Sequence, residues 1–330
     1  MKQVVVNKNA SGQRIDRFLS KTYPALSQGF ICKMIRKKEI KVNGKRTEAN
    51  YKLIENDIIS LYIKDELFEE KKPSDMDFLD VSPDISVIYE DENILLVDKE
   101  PGLVVHEDND NSTDTLINRI KRYLYEKGEY NPEDEYCFAP SLCNRIDRNT
   151  GGIVIAAKNA ESLRILNQKV KDRELTKLYL CEVFGTPKEK EALLTAYLYK
   201  NEKENRVIIS ERKTPENRTI KTKYRVLEAR GDSALLEVDL ITGRTHQIRA
   251  HMAYIGHPLL GDGKYGINKI NKEKGYKYQA LYSYKLIFNF STDGGILSYL
   301  NGREFTAQNI WFLDKTKRKE SGNTAKGTKK

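Results

Sequence analysis

The chain has 330 residues, with 57 Lys and Arg against 48 Asp and Glu, a formal charge of +9. That length suits one large domain or two ordinary ones, and a composition of 39% hydrophobic and 32% charged residues is highly solvated yet able to fold. No opening apolar segment reads as a signal peptide, and no run approaches the ~20 apolar residues of a spanning helix. A soluble, cytoplasmic protein with no membrane partner is expected.

The charge is concentrated. Residues 1–64 carry a net +9, residues 65–84 a net −6, residues 315–330 a net +6, and the body from 85 to 314 is neutral. A neutral body with two basic appendages points to a polyanionic partner, nucleic acid ahead of membrane, because neither end is amphipathic.

Taken in chain order, Ser27 is placed to cap a helix whose Phe30, Ile31, Met34 and Ile35 turn inward. Lys33, Arg36 and Lys37 occupy its outer side and are candidate RNA contacts. Asn43-Gly44 signals a tight hairpin after Ile40–Val42, and Asp57–Ile63 supplies a closing strand. Residues 1–66 thus form a small basic module. An acidic linker is expected over 67–84.

Beyond it, Ile85–Tyr89 and Asn93–Val97 read as strands, and Thr115–Tyr125 as a helix. Gly151-Gly152 reads as a turn and Gly152–Ala157 as a short apolar run suited to a buried strand, followed by a helix from Ala160 to about Lys171. Strands dominate Lys177–Leu240, interrupted by the polar stretch Asn201–Arg218. His246–Ile255 has helical spacing, and Leu281–Phe290 alternates as a strand. The fold class is therefore α+β: a mixed, mostly antiparallel sheet flanked by helices over 85–314, preceded by the small α+β module. Residues 315–330 are expected to be a disordered basic tail.

Several chemistries find no support. Cys32, Cys137, Cys143 and Cys181 have no CxxC spacing and read as reduced thiols. His246, His251 and His257 lie beside Arg244 and Arg249, whose charges oppose a divalent metal. Gly261–Gly266 fits GxGxxG but opens no apolar helix, so it reads as a turn-rich loop. There is no nucleophile elbow. Neither metal nor cofactor is expected.

Two segments remain. Asn144–Gly152 sets Asp147 between Arg145 and Arg148, and Thr242–His251 packs two arginines and two histidines at the start of a helix. Such an Arg–Asp arrangement is either a surface ion pair of little worth or a carboxylate held for chemistry. The residues alone leave both open.

The order of motifs decides between them. Arg145-Ile146-Asp147 with Thr150-Gly151-Gly152 resembles the RLD…TSG signature of the RluA-type pseudouridine synthases. Lys99–His106 resembles their KPxGLxVH motif with an extra Glu, Lys177-Leu178-Tyr179 their K-x-Y strand, and Gly243–His251 their GRTHQIRxH motif. His257–Asp262 fits the continuation. The amino-terminal module is similar to the S-four RNA-binding domain. The chain departs from the family at Asn144, where His is usual, at Gly151, where Ser is usual, and at Gln28, where the module usually has Arg.

The resemblance implies an isomerase needing no cofactor. It detaches uracil from ribose, turns the base and rejoins it through carbon, with Asp147 as the catalytic carboxylate. Arg244 is implied as the arginine pairing with Asp147, and Tyr179 as the ring that stacks on the base. Arg145 is implied to fill the gap left by a flipped uridine, and Arg148, His246 and Arg249 join it as RNA contacts. RNA is the expected partner, large-subunit rRNA before tRNA, with a monomer as the expected state. A non-catalytic RNA-binding assembly factor of the same fold is the alternative of a different class.

Overall fold

In the computed structural model, residues 1–68, 73–107, 112–133, 135 and 138–313 are described. The expected tail and Cys137 lie outside them. In chain order the elements are β1 (Lys2–Val5), α1 (Ile15–Thr22), α2 (Gln28–Arg36), β2 (Ile40–Val42), β3 (Lys45–Arg46), β4 (Ile58–Leu61), β5 (Val87–Glu90), β6 (Ile94–Lys99) and α3 (Leu116–Glu126). They continue through β7 (Ser141–Leu142), β8 (Gly151–Ala157), α4 (Ala160–Lys171), β9 (Leu175–Phe184), β10 (Glu191–Asn201), β11 (Arg206–Ser210), β12 (Arg218–Ala229), β13 (Ser233–Asp239), α5 (Gln247–Tyr254), α6 (Asn268–Glu273), β14 (Leu281–Phe288) and β15 (Glu304–Thr306).

The first four strands form one sheet in the order β1-β4-β2-β3. Asn43 and Gly44 turn β2 into β3 with φ of 50° and 72°, the paired positive angles that a two-residue hairpin demands. Ser27 caps α2 by accepting a hydrogen bond from the Phe30 backbone N–H. Ile31 and Ile35 then enter the module's core, and Lys33, Arg36 and Lys37 remain exposed. β1 and α1 complete that core through Val4, Ile15, Phe18 and Leu19.

The second sheet runs β11-β10-β12-β13-β9-β14-β8-β6-β5, with β15 on β14 and β7 on β8. Its pairings are antiparallel except β8 with β14. Along β8, Val154 and Ala156 enter one core while Ile153, Ile155 and Ala157 enter the other. An apolar run covered on both faces is the reason this strand lacks alternation. α3, capped by the Thr115 side chain, packs on the first face, and α4, capped by Asn159, on the second.

Three expectations need correction. The polar stretch 201–218 carries β11, hydrogen-bonded to β10 from Arg206 through Ser210. The segment expected as an acidic linker over 67–84 includes a short 3-10 helix over Pro73–Asp80, whose Phe78 is 2% exposed and packs edge-on against Tyr125. The Gly151-Gly152 turn is absent: the strand expected from Gly152 begins one residue earlier, and both glycines open β8. A Cβ at Gly151 would sit 2.4 Å from the Tyr282 ring, and one at Gly152 (φ +114°) 2.3 Å from the Ser283 carbonyl. Close approach of β8 to β14 requires both glycines.

No helix among the described residues is long and apolar enough to cross a membrane.

Candidate active site

On the face of the large sheet that carries Tyr179, a pocket of about 290 Å³ opens between the 144–150 loop, β9 and the β13–α5 connection. Asp147, Tyr179, Lys177, Arg244, His246 and Arg249 all line it. Three of the motifs read from the sequence, around Asp147, Tyr179 and Arg244–Arg249, therefore converge on one cavity. They do so with different partners than expected.

The Asp147 loop is fixed on both sides. Asn144 accepts a hydrogen bond from the Ile155 N–H at 2.8 Å, tying the loop to β8. Beyond Asp147, the Arg148 carbonyl accepts from the Gly102 N–H at 2.9 Å and from Lys99 Nζ at 2.9 Å. Lys99 is 1% exposed and its ammonium also donates to the Glu100 and Leu103 carbonyls, both at 2.8 Å. Burial pushes its pKa down to about 7, opposed by the charges of Glu100 and Asp147. One buried cation thus fastens three backbone carbonyls beside the site. Lys99→Met should strand those acceptors and destabilise the protein by about 2–4 kcal/mol, read from denaturant midpoints at constant m.

Arg249, not Arg244, pairs with Asp147. Its Nη1 donates to Asp147 Oδ2 at 2.8 Å, while Nε and Nη2 bind Asp262 Oδ2 and Oδ1 at 2.6 and 2.9 Å. Asp262 is fully buried and also accepts from the Lys264 and Tyr265 N–H groups. It holds one edge of the planar guanidinium through Nε and Nη2 and so aims Nη1 at Asp147. Burial works against the Arg249 charge, but the bonds from Asp262 and the charge of Asp147 raise its pKa overall. Arg249, expected as an RNA contact, is buried in the pocket wall and committed to two carboxylates. Arg244 is exposed at the pocket edge, and it is its backbone N–H that is engaged, with Gln247 Oε1.

Gln247 explains how α5 is held. It receives the Thr242 hydroxyl and donates to Lys221 O and Thr222 Oγ1 on β12. His251 Nδ1 lies 3.0 Å from the same Thr222 hydroxyl, and burial lowers its pKa to about 4. It is a neutral, buried residue that ties α5 to β12.

His246 sits at the amino-terminal cap of α5 with φ 51°, a left-handed conformation uncommon outside glycine. Its Nε2 lies 3.9 Å from Asp147 Oδ2 and its Nδ1 3.1 Å from the Tyr265 hydroxyl. Burial brings its pKa down to about 4 even though the Asp147 charge opposes this, so the ring is neutral at physiological pH. Both neighbours of Asp147 face Oδ2, and Oδ1 has no protein partner among the described residues.

Tyr179 is 5% exposed, and burial raises its phenol to about 12, with Ser283 hydrogen-bonded to it. It offers the pocket a protonated aromatic ring. Lys177, two residues earlier, is half-buried in the same wall, and burial lowers its pKa. Arg145 is exposed at the mouth, whereas Arg148 is exposed outside the pocket lining, its Nε donating to the Gly102 carbonyl. Lys33, Arg36 and Lys37 belong to the other sheet's module and do not join this cavity.

Sequence reasoning missed Asp262 and Tyr265, which lie in the Gly261–Gly266 loop dismissed as a turn. The signal available was a carboxylate in a glycine-rich loop a short chain distance after a helix bearing an unpaired arginine.

Comparison with known proteins gives a consistent result. The sequence profile of the RNA pseudouridylate synthase family matches residues 93–254, and that of the S-four domain residues 13–59. An uncharacterised RNA pseudouridine synthase of Mycoplasma genitalium is 33% identical over 288 residues, 86% of this chain and 88% of that protein. The ribosomal large subunit pseudouridine synthase C of Vibrio parahaemolyticus is 31% identical over 82% of each chain. The structure of the human RNA pseudouridylate synthase domain containing 1 protein superposes with a TM-score of 0.55 over 70% of this chain and 87% of that one, at 22% identity, a likeness of fold.

Proposed function

This chain belongs to the RNA pseudouridylate synthase family, and from that premise we propose that it isomerises uridines of large-subunit ribosomal RNA with Asp147 as the catalytic carboxylate. The observation that carries the reading is the contact of Arg249 with Asp147 at 2.8 Å inside the pocket. The choice of ribosomal RNA is supported by relatives named for the large subunit and by the S-four match.

The reaction moves a base about its own ribose, so the protein must hold a flipped nucleotide, supply a nucleophile or base, and keep the detached uracil in place. Asp147 is the carboxylate facing the cavity, and Arg249 fixes its orientation. Because Arg249 binds Oδ2 and His246 faces the same oxygen at 3.9 Å, Oδ1 is the oxygen available to the substrate. Tyr179 provides the face on which uracil lies, and its raised phenol keeps it a proton donor. Arg145, exposed at the mouth, is placed to fill the vacated stack. A cytoplasmic, monomeric enzyme accords with this reading.

The basic helix α2 supplies the grip. Replacing Lys33, Arg36 and Lys37 together by Gln should weaken RNA binding and reduce the slope of log K against log salt by about 2 if all three meet phosphates. An unchanged slope in filter-binding titrations would remove α2 from the interface. The reading as a whole is tested by mapping pseudouridines in ribosomal and transfer RNA from cells with and without the gene. Loss confined to tRNA would redirect the substrate assignment, and no loss anywhere would overturn it.

A further inference from the structure

The Tyr265 side chain lies outside every role assigned so far, yet it touches three parts of the site. Its hydroxyl accepts the Val207 backbone N–H of β11 at 2.8 Å and lies 3.1 Å from His246 Nδ1. The guanidinium groups of Arg249 and Arg206 sit 5.3 and 5.5 Å from its ring centre, and the His246 ring meets it edge-on at 5.7 Å.

Proton counting gives this contact a direction. The Val207 N–H can only donate, so it uses one lone pair of the phenol oxygen. The phenol's single proton is then free to point at His246 Nδ1, which must be unprotonated to accept it. A neutral imidazole with bare Nδ1 carries its proton on Nε2, the nitrogen facing Asp147 Oδ2 at 3.9 Å. The opposite tautomer would aim a lone pair at that carboxylate and leave the phenol proton without an acceptor. We propose that Tyr265 is a positioning residue that fixes His246 with its proton on Nε2, so that Arg249 and His246 both present N–H groups to Oδ2 of Asp147 and leave Oδ1 to react. The Val207 bond makes this arrangement depend on the hairpin of β10 and β11 being seated against the 261–266 loop, a contact reinforced by Lys264 Nζ donating to the Asn205 carbonyl.

The inference rests on Asp147 being the catalytic carboxylate. Its test uses the full chain with ¹⁵N-labelled histidine, of which the sequence has four. Long-range ¹H–¹⁵N correlation should show His246 protonated at Nε2 and bare at Nδ1, and Tyr265→Phe should erase that preference. Under single turnover at saturating RNA, Tyr265→Phe should slow isomerisation about tenfold with RNA affinity within twofold of wild type. His246→Gln has an amide donor but no tautomer to set, so adding Tyr265→Phe to it should cost less than about twofold more. Protonation at Nδ1 in the wild type, or equal cost of Tyr265→Phe in both backgrounds, overturns the proposal. Asp147→Asn is assayed alongside. Activity in that variant overturns the site assignment itself, whereas an inactive Asp147→Asn with full-rate Tyr265→Phe overturns this inference alone.

Discussion

Asp147→Asn should bind RNA as wild type does and isomerise it at least about 10³-fold more slowly under single turnover. The substitution keeps the shape of the side chain and its place in the loop pinned by Asn144 and Lys99. It removes the negative charge and the nucleophilic or basic oxygen. Binding should persist because the exposed basic residues proposed above as phosphate contacts lie elsewhere, on α2 and at the pocket mouth. An amide would also present an N–H or a neutral oxygen to Arg249, weakening the bond that orients the group. A rate within tenfold of wild type would end the assignment of Asp147.

Arg249→Lys should fail in two measurable ways. The guanidinium serves Asp262 through two nitrogens and Asp147 through a third, a fork that a single ammonium cannot reproduce. Asp262 is fully buried, so losing part of its pairing should reduce stability by about 2–4 kcal/mol in denaturant unfolding. The misdirected Asp147 should slow the chemical step about 10²-fold. Arg244→Lys, made on the exposed arginine, should change RNA affinity and leave that step nearly intact. Reversal of the two results would restore Arg244 as the partner. Acid adds a check of sign. Burial alone would raise the Asp262 carboxyl, but the Arg249 hydrogen bonds hold it below its ordinary value. Its stabilisation is therefore complete above the unfolded carboxyl value of about 4 and lost as pH falls below it. The Arg249→Lys difference in stability should shrink over that acid range.

The elements most legible in the sequence are those with local instructions. Asn43-Gly44 encodes its turn, Thr115 and Asn159 encode helix starts, and the motif order brings Asp147, Tyr179 and the α5 residues to one cavity. The 206–210 strand was hidden because its side chains alternate only weakly and its pairing with β10 is a tertiary fact. The choice between Arg244 and Arg249 turns on where α5 begins. The helix opens at Gln247, so Arg249 lies among buried Ile248, Ala250 and His251 while Arg244 precedes the cap. Local spacing could place the cap within a residue or two, which is the margin that separates the two arginines' environments. Asp262 was missed for a different reason: the one carboxylate of a glycine-rich loop gives no local sign that it is folded under to meet an arginine.

The two glycines that begin β8 leave an imprint on how this gene can vary. At Gly128 and Gly231 an added Cβ would meet nothing within 4 Å, though both have positive φ. At Gly151 and Gly152 it would strike an aromatic ring or a backbone carbonyl, and neither neighbour can yield without parting β8 from β14. A saturation scan should therefore find Gly151 and Gly152 as intolerant as Asp147, in a profile that mimics a catalytic triplet. Of the three only the aspartate lines the pocket; the glycines are the seam along which two strands are sewn.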